Sequence, residues 1–281
     1  MRSAYLGLHG SLQEILANRL GWDSLRDVQE EAYRAVSSGD DVLVIAPTAG
    51  GKTEAALIPV LDRILKDGSQ GISCIYISPL KALINDQEER FSSFCIPAGL
   101  DLLKWHGDVP RGDRRWQDGE APHFLMITPE SLEVLMGERD LLADLSRARY
   151  VIIDELHAFV ESERGVHLRV LLDRLDVLAG RAVQRIGLSA TVGNPEEILE
   201  WLSGDRGSRQ LVQVPILPRE KRFSFFVEGD DERRMDVIVR VVAGRKALVF
   251  VNSRSDAEKI GQSPQGRTEQ LFVHHSSLSP Q

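Results

Sequence analysis

Short apolar runs that alternate with helical patterns place the strongest constraint on the fold of this 281-residue chain. Each run is rich in aliphatic residues, and amphipathic stretches such as "TEAALIPVLDRILKDG" and "GVHLRVLLDRLDVLAG" lie between them. The runs span residues 41–46, 72–78, 101–106, 123–128, 150–154, 185–190 and 211–214. Strands that alternate with helices indicate βαβ units around a mostly parallel sheet. The sequence therefore predicts an α/β fold whose strands are buried on both faces.

The composition changes after Val214, where a second domain is expected to follow a linker. The segment "PILPRE" carries two prolines, and the charged run "EGDDERRMD" follows the aromatic "RFSFF". The pattern then predicts a helix, a strand at "KALVFV", another helix and a strand at "LFVHH" before Gln281. These elements are too few to complete a second doubly wound domain. We expect a helical lead-in at 1–24, a first domain at 25–214, a linker at 215–232 and a partial second domain at 233–281.

Composition and charge limit the class of protein. Hydrophobic residues make up 42% of the chain and charged residues 27%, as in ordinary soluble globular proteins. No apolar stretch approaches the roughly 18 residues that a membrane span needs, so we expect a cytoplasmic location. The formal net charge of -8 has the wrong sign for holding nucleic acid by bulk electrostatics, so any such site has to be local. Cys74 and Cys95 lack the spacing of a metal motif and are expected to be reduced structural thiols.

The segment "DVLVIAPTAGGKTEAAL" joins a strand to a helix through a loop of small residues. Backbone N–H groups of such a loop can wrap a polyphosphate, helped by the positive end of the helix. Lys52 would reach the β and γ oxygens, and the Thr53 hydroxyl would bind Mg²⁺. Ala46 and Ala49 stand where glycine is commoner, and either would crowd the loop if its φ were positive. The alternative is a Gly-rich turn with a solvated lysine.

Two adjacent acids, Asp154 and Glu155, follow the apolar run at 150–154. They are expected at the carboxyl edge of the sheet, where α/β folds bind ligands. A strand that neighbours the phosphate-loop strand can deliver Asp154 to Mg²⁺, and Glu155 can position or deprotonate the water that attacks the γ-phosphate. The alternative is a helix N-terminus capped by Asp154. His157 alone is more often a packed polar residue than a catalyst.

The segments "APTAGGKTEAA", "DELH" and "LSATVGNPEEILEWL", in this order, resemble superfamily 2 helicases of the DEAD/DEAH type. Details such as "SPLKALINDQ" and "WHGDVP" are most similar to the large helicase-related proteins of bacteria and archaea. The resemblance implies a RecA-like P-loop domain that binds ATP and Mg²⁺, followed by an incomplete second RecA-like lobe. It also implies an ATP-dependent motor that acts on DNA or RNA, with further C-terminal domains in the full-length protein.

The resemblance also implies roles for the nucleotide-site residues. Gln29 in "LRDVQEEAY" matches the glutamine that reads adenine, because an amide can donate and accept together; the alternative is an exposed helix glutamine. The ATP-binding loop would consist of Thr48, Ala49, Gly50, Gly51, Lys52 and Thr53. The catalytic set would be Lys52, Asp154, Glu155 and His157, with Thr53 and Asp154 as the magnesium ligands. Ser189 and Thr191 in "LSAT" match the motif that couples the acid pair to the nucleic-acid loops.

Several loops match nucleic-acid contacts of the family. A strand end with exposed N–H groups, a hydroxyl and one lysine is suited to binding phosphates, although each segment alone could be an ordinary loop. The matching positions are Pro79, Leu80, Lys81, Gly107, Asp108, Thr128, Pro129, Asn252, Ser253 and Arg254. The family's later motifs, with arginines that approach the γ-phosphate, would lie beyond Gln281. Because such an arginine can be worth roughly 10³–10⁵ in rate, we expect weak hydrolysis by this chain.

Three functions therefore remain open on the sequence. The first is a helicase motor that cycles two lobes on DNA or RNA. The second is a module that binds ATP and nucleic acid without unwinding. The third is a P-loop ATPase that acts on protein partners, which leaves the "SPLK" and "TPES" loops without a role.

Overall fold

The computed structural model describes residues 3–47, 50–105, 121–190, 193–213, 224–226, 231–242 and 247–262. The chain divides into two compact units, Met1–Leu217 and Pro218–Gln281. The positions Thr48, Ala49, Gly107, Asp108 and Thr191 lie outside the described residues. No helix in the described ranges is both long enough and apolar enough to cross a membrane.

The first unit is built on a seven-stranded sheet in the order β3-β4-β2-β5-β6-β1-β7. The strands are β1 (Asp41–Ile45), β2 (Cys74–Ile77), β3 (Leu102–Trp105), β4 (Phe124–Ile127), β5 (Tyr150–Ile153), β6 (Gln184–Ser189) and β7 (Arg209–Gln213). Every neighbouring pair of these strands runs parallel. The predicted α/β fold with a mostly parallel sheet is confirmed, and each of the seven apolar runs forms one of these strands.

Burial of the strands depends on their place in the sheet. All residues of β1, β2, β4 and β5 are buried, as their continuous apolar sequences predict. The prediction of burial on both faces was wrong for β3 and β7, which are partly exposed. Both are edge strands, so each has a neighbour on one side only and is less completely covered.

Helices cover both faces of the sheet. The helices of the first unit are α1 (Gly10–Leu20), α2 (Asp27–Ser37), α3 (Lys52–Asp67), α4 (Lys81–Cys95), α5 (Pro129–Met136), α6 (Leu142–Leu145), α7 (Glu163–Ala179) and α8 (Pro195–Ser203). One apolar cluster holds α1 to α4 with Val42 and Val44 of β1, and the other holds α5 to α8 with Leu43 and Ile45. Alternate side chains of each strand point to opposite faces, which produces this division. Pro59 lies inside α3 without ending it.

Two carboxylates attach the N-terminal segment to the helices of the first face. Glu30 of α2 accepts hydrogen bonds from the Ala4 N–H at 2.9 and 3.0 Å. Asp62 of α3 accepts from the His9 N–H at 2.6 Å and from the Tyr33 hydroxyl at 2.7 Å. The segment therefore packs on α2 and α3, the helices that carry Gln29 and the end of the phosphate loop.

The second unit contributes two described helices, α9 (Asp231–Val242) and α10 (Arg254–Gln262). The strand predicted at "KALVFV" is absent from its described residues, 247–251, which belong to no strand. Leu248 is 85% exposed and Phe250 is 89% exposed. A strand is stable when it is paired in a sheet, and no described residue of this unit pairs with the segment.

Candidate functional site

Two glycines shape the phosphate loop between β1 and α3. A Cβ on Gly50 would lie 2.8 Å from the Pro47 carbonyl oxygen, and the Gly50 N–H donates to that same oxygen at 2.9 Å. Gly51 has a φ of 85°, in the left-handed region that glycine adopts without strain. A Cβ on Gly51 would also lie 2.9 Å from Nε2 of Gln29. A larger residue at either position would therefore displace the turn that begins α3.

Lys52 and Thr53 open α3, as the sequence predicts. Nζ of Lys52 donates to the Ala46 carbonyl oxygen at 2.8 Å, which holds the ammonium group against the loop. Thr53 is buried beside it. Ala46 does not adopt a positive φ, so it is compatible with the loop although glycine is commoner there. The N-terminus of this 16-residue helix therefore offers a positive helix end and an ammonium group at one point.

Gln29 is 1% exposed, so it is not a surface glutamine of α2. Its Oε1 accepts a hydrogen bond from the Arg26 N–H at 3.0 Å and closes a capping box at the start of the helix. Nε2 has no partner among the described residues and faces Gly51. A buried amide donor without a partner costs free energy, which a ligand at this position would recover.

The Asp154 carboxylate is held by hydrogen bonds from two directions. The Tyr76 hydroxyl donates to Oδ2 at 2.5 Å, and the Glu155 N–H donates to Oδ1 at 3.0 Å. The Asp154 N–H continues the sheet by donating to the Ile77 carbonyl oxygen of β2 at 2.8 Å. Burial, and then the neighbouring Asp154 carboxylate, raise the pKa of Tyr76 well above its usual value, so the hydroxyl remains a donor at neutral pH.

The chain turns sharply after Asp154. Glu155 has a φ of 46°, one of two positive values for non-glycine residues in the described ranges. Oε2 of Glu155 lies 3.4 Å from Nε2 of His157, and Nδ1 of His157 lies 3.1 Å from the Ser189 hydroxyl. A positive φ in a residue with a side chain is an uncommon conformation that concentrates at functional sites. The turn brings the second acid, the histidine and the end of β6 together.

Ser189 connects this cluster with the phosphate loop. Its carbonyl oxygen accepts from the Ala46 N–H at 3.4 Å, while its buried hydroxyl contacts His157. The prediction that Asp154 ends a strand next to β1 was wrong, because β6 lies between β1 and β5. Sequential position does not set strand order, and one intervening strand separates β1 from β5 by roughly 10 Å. The other predicted coupling residue, Thr191, lies outside the described residues.

Two predicted nucleic-acid loops follow β2 and β4, which are adjacent in the sheet. In the first loop Pro79 is buried, whereas Leu80 and Lys81 are exposed at the start of α4. In the second loop Thr128 accepts from the Ser131 N–H at 3.4 Å and caps α5, and Pro129 is the first residue of that helix. Both loops lie at the carboxyl edge of the sheet.

Asn252, Ser253 and Arg254 belong to the second unit and are exposed, whereas the predicted Gly107 and Asp108 lie outside the described residues. The Ser253 hydroxyl accepts from the Asp256 N–H at 3.0 Å, which is the geometry of an N-cap. Asn252 precedes this cap, and Arg254 opens α10. The Ser253 side chain therefore has a structural role in beginning α10.

The model of the family described as DEAD/DEAH box helicase matches residues 26–198, which is more than half of the chain. The chain belongs to the DEAD/DEAH box helicase family. The match covers the phosphate loop, the acid pair and Ser189.

This DEAD/DEAH box helicase chain is similar in sequence and structure to Lhr helicases. The Lhr helicase/probable uracil glycosylase of Mycolicibacterium smegmatis is 36% identical over 83% of this chain and 17% of its own length. The ATP-dependent helicase Lhr-Core of Methanothermobacter thermautotrophicus is 34% identical over 93% of this chain and 34% of its own length. The structure of Mycobacterium smegmatis helicase Lhr bound to ssDNA and AMP-PNP aligns with a TM-score of 0.77 at 31% identity, covering 92% of this chain and 36% of that chain. The predicted resemblance and the RecA-like α/β fold class are confirmed.

Two residues at the site of this DEAD/DEAH box helicase chain were not predicted from the sequence. Tyr76 is one, and its position inside the buried strand "CIYI" was a usable signal, because a buried tyrosine hydroxyl needs a partner. Arg164 is the other. It contacts both loops that follow β2 and β4, and its sequence context gave no sign of those contacts.

The donor set of this family member fits a magnesium ion that is bound together with phosphates. The Thr53 hydroxyl and the Asp154 carboxylate offer oxygen atoms, the type of ligand that Mg²⁺ prefers. Within the described residues, no group of three or more His, Cys, Asp and Glu side chains could hold a metal ion. Mg²⁺ in phosphate-transfer sites is usually held by one or two carboxylates with waters and substrate phosphates. The residues present therefore suit a substrate-bound ion and do not form an all-protein cage.

Proposed function

We propose that this chain is the nucleotide-binding part of an ATP-dependent helicase or translocase motor that separates strands of DNA or RNA. The observation that carries the proposal is the double contact of Ser189. This residue bonds to Ala46 of the phosphate loop and to His157 of the acid turn. Only one strand, β6, lies between β1 and β5 in the sheet. A triphosphate bound at the N-terminus of α3 would therefore be separated from the Asp154 and Glu155 carboxylates by the width of this single strand.

Each residue of the site has a distinct task in this proposal. Lys52 leaves the Ala46 carbonyl and binds the β and γ oxygens, while backbone N–H groups of the loop bind the remaining phosphate oxygens. Thr53 and Asp154 would hold Mg²⁺, which neutralises charge on the phosphates when it is bound. Glu155 accepts a proton from the water that attacks the γ-phosphate.

Gln29 supplies recognition of the base. Its buried Nε2 is without a partner among the described residues, and adenine offers an acceptor at N7 and a donor at N6. An amide that turns toward the base can use both groups. Binding of adenine would thus satisfy a buried donor that has no partner among the described residues.

The nucleic acid would bind at the carboxyl edge of the sheet, along the loops after β2 and β4. Exposed Leu80 and Lys81 offer a backbone N–H and an ammonium group, which suit phosphate contacts. The Mycobacterium smegmatis Lhr structure contains ssDNA, and it aligns with 92% of this chain. The chain spans 36% of that structure, so strand separation is proposed for a longer protein that contains this part.

Nucleotide binding by the 281-residue chain tests the proposal. A fluorescent ATP analogue should bind in the presence of Mg²⁺, and Lys52→Ala should weaken binding by a factor of about 10 or more, because a charge-assisted contact is lost. Glu155→Gln should bind the analogue as tightly as the natural chain, because Glu155 acts on the attacking water. A chain that binds no nucleotide with or without Mg²⁺ would contradict the proposal.

Turnover separates the motor from a module that binds without unwinding. Phosphate release that increases when single-stranded DNA or RNA is added, and that disappears in Glu155→Gln, supports the motor. Binding of nucleotide and strand without phosphate release supports the binding module. If a strand changes neither nucleotide affinity nor turnover, a P-loop ATPase that acts on protein partners becomes the better account.

A further inference from the structure

Arg164, near the start of α7, joins both predicted nucleic-acid loops through one guanidinium group. Its Nε donates to Oε1 of Glu130 at 2.7 Å, and its terminal NH2 group donates to the Pro79 carbonyl oxygen at 3.0 Å. Pro79 lies in the loop between β2 and α4, and Glu130 is the second residue of α5, after Thr128. One side chain therefore links the two loops that follow β2 and β4.

Arg164 also contacts the segment that follows the acid pair. Its guanidinium carbon lies 5.6 Å from the centre of the Phe159 ring, within the range of a cation–π interaction. Phe159 is fully buried and follows His157 by two residues. The same arginine thus touches both strand-binding loops and the buried end of the turn that carries Glu155 and His157.

The start of α7 is built to hold Arg164 at this place. The Ser162 hydroxyl accepts from the Gly165 N–H at 3.1 Å and caps the helix, and it donates to the Phe159 carbonyl oxygen at 2.7 Å. A Cβ on Gly165 would overlap with that carbonyl oxygen, so only glycine permits this approach of α7. The position of Arg164 is therefore set by backbone packing on both sides of it.

The lowered pKa of Glu130 agrees with its hydrogen bond to Arg164. Partial burial alone would raise the pKa of Glu130, but the hydrogen bond from Arg164, its charge, and hydrogen bonds with the Glu130 N–H and Thr128 together outweigh burial and lower that pKa. Glu130 is therefore ionised at neutral pH and binds the guanidinium as a carboxylate. An arginine can meet a carboxylate and a carbonyl oxygen together through its planar fork, whereas a lysine has a single ammonium group.

We propose that Arg164 is a positioning residue that holds the two strand-binding loops at the spacing required by the nucleic-acid backbone. The inference rests on the proposed function, because it assumes that the loops after β2 and β4 bind a strand. Without the guanidinium, the Pro79 carbonyl and the Glu130 carboxylate lose their common partner and the loops move independently. Strand affinity falls, while the nucleotide site, which contains neither residue, is unaffected.

The experiment compares the strand affinity of the 281-residue chain with that of variants at Arg164, Arg149 and Lys81. Fluorescence anisotropy with labelled oligo(dT) and oligo(rU) should show binding weakened roughly tenfold in Arg164→Ala, about 1.4 kcal/mol, and by an intermediate factor in Arg164→Lys. The matched control is Arg149→Ala. Arg149 forms an ion pair with Asp67 that has the same length, 2.7 Å, as the pair of Arg164 with Glu130. This control pair is half-exposed and lies at the amino ends of the strands, away from both loops. This variant should bind each strand within twofold of the natural chain.

The salt dependence of strand binding distinguishes a positioning role of Arg164 from direct contact of Arg164 with the nucleic acid. A side chain that contacts one phosphate of a single strand contributes about 0.7 to the slope of log affinity against log salt. Arg164→Ala should leave that slope unchanged, whereas Lys81→Ala should reduce it. Binding of the fluorescent ATP analogue to Arg164→Ala, within twofold of the natural value, shows that the variant is folded.

Three results would overturn the inference, and they are distinguishable. If Arg164→Ala binds strands as the natural chain does while Lys81→Ala binds more weakly, the proposed function remains and the role of Arg164 is wrong. If the slope falls by about 0.7 in Arg164→Ala, the residue contacts phosphate directly and is not a positioning residue. If the natural chain binds neither oligonucleotide, the proposed function fails together with the inference.

Discussion

Asp154 has its carboxylate oriented before any ligand binds. The hydroxyl of Tyr76 and the N–H of Glu155 each donate a hydrogen bond to one of its oxygens. The carboxylate still has lone pairs that can bind further partners. A ligand side chain that is already held in place loses little conformational entropy when it binds a cation. Tyr76 therefore belongs to the candidate site although it would not touch the nucleotide.

Tyr76→Phe tests this orientation. The substitution leaves Oδ2 of Asp154 without its buried donor, so the free energy of unfolding should fall by about 1–3 kcal/mol. Urea unfolding measures the change. The control is Tyr150→Phe, which removes a hydroxyl with no hydrogen-bond partner among the described residues and should change stability by less than about 1 kcal/mol. Equal losses in the two variants would show that the bond to Asp154 contributes nothing.

The two thiols give a second prediction for single residues. Cys74 and Cys95 are free and buried, which confirms the expectation from their spacing. Burial raises the pKa of Cys95 to about 12, and it raises the pKa of Cys74 well above its usual value. Because the thiolate is the reactive form, the folded chain should not react with a thiol reagent at pH 8 and the unfolded chain should react twice. Rapid reaction of either thiol in the folded chain would contradict the burial.

Individual residues differ in how far the sequence predicts their surroundings. The positions of Lys52 and Thr53 at the start of α3 follow from the local pattern, because strand, loop and helix are adjacent in the chain. The burial of Gln29 against Gly51 could not be read locally, since the two residues meet only after α2 packs on α3. The contacts of Arg164 depend on three separate segments and left no local pattern.

At the scale of elements, the attachment of α7 to the acid turn depends on Gly165. Its backbone lies against the Phe159 carbonyl, and the ring of Trp201 from α8 lies 3.4 Å from the site of a Cβ. A side chain at this position would therefore collide with the turn and also meet α8. This close approach also sets the direction in which Arg164 extends.

Gly165→Ala should lower the free energy of unfolding by about 1–3 kcal/mol, because the added methyl group meets backbone that cannot move aside. The matched control is Gly10→Ala at the start of α1, where nothing lies within 4 Å of the added Cβ. That change should be neutral or stabilising by up to about 1 kcal/mol, since alanine favours helices. Chemical unfolding of both variants gives the comparison. A neutral Gly165→Ala would mean that α7 is not packed this closely.

The existence of each strand was predictable, but the order of the strands was not. Seven apolar runs became seven strands because buried parallel strands need continuous apolar sequence. The insertion of β6 between β1 and β5, and the edge positions of β3 and β7, depend on how crossover helices pack. The strand expected at "KALVFV" was likewise not predictable from local sequence, because a strand forms only when another strand pairs with it.

At the scale of the whole molecule, the candidate site residues of the first unit lie along one edge of its sheet. The phosphate loop, the acid turn, Ser189 and both predicted nucleic-acid loops all lie at the carboxyl ends of parallel strands in the first unit. A parallel sheet directs every such end to the same side, which is why residues far apart in sequence meet there. The net charge of -8 is compatible with nucleic-acid binding when contacts are confined to such an edge.

The central claim is that a magnesium-bound triphosphate lies between the Lys52/Thr53 turn and the acid pair. A crystal structure of the chain with AMP-PNP and Mn²⁺ in place of Mg²⁺ tests it directly, because anomalous scattering locates the manganese. We expect the ion bound to the Thr53 hydroxyl at about 2.1 Å, with Asp154 as a ligand directly or through water. An ion or nucleotide bound elsewhere on the sheet, with this gap left empty, would contradict the account.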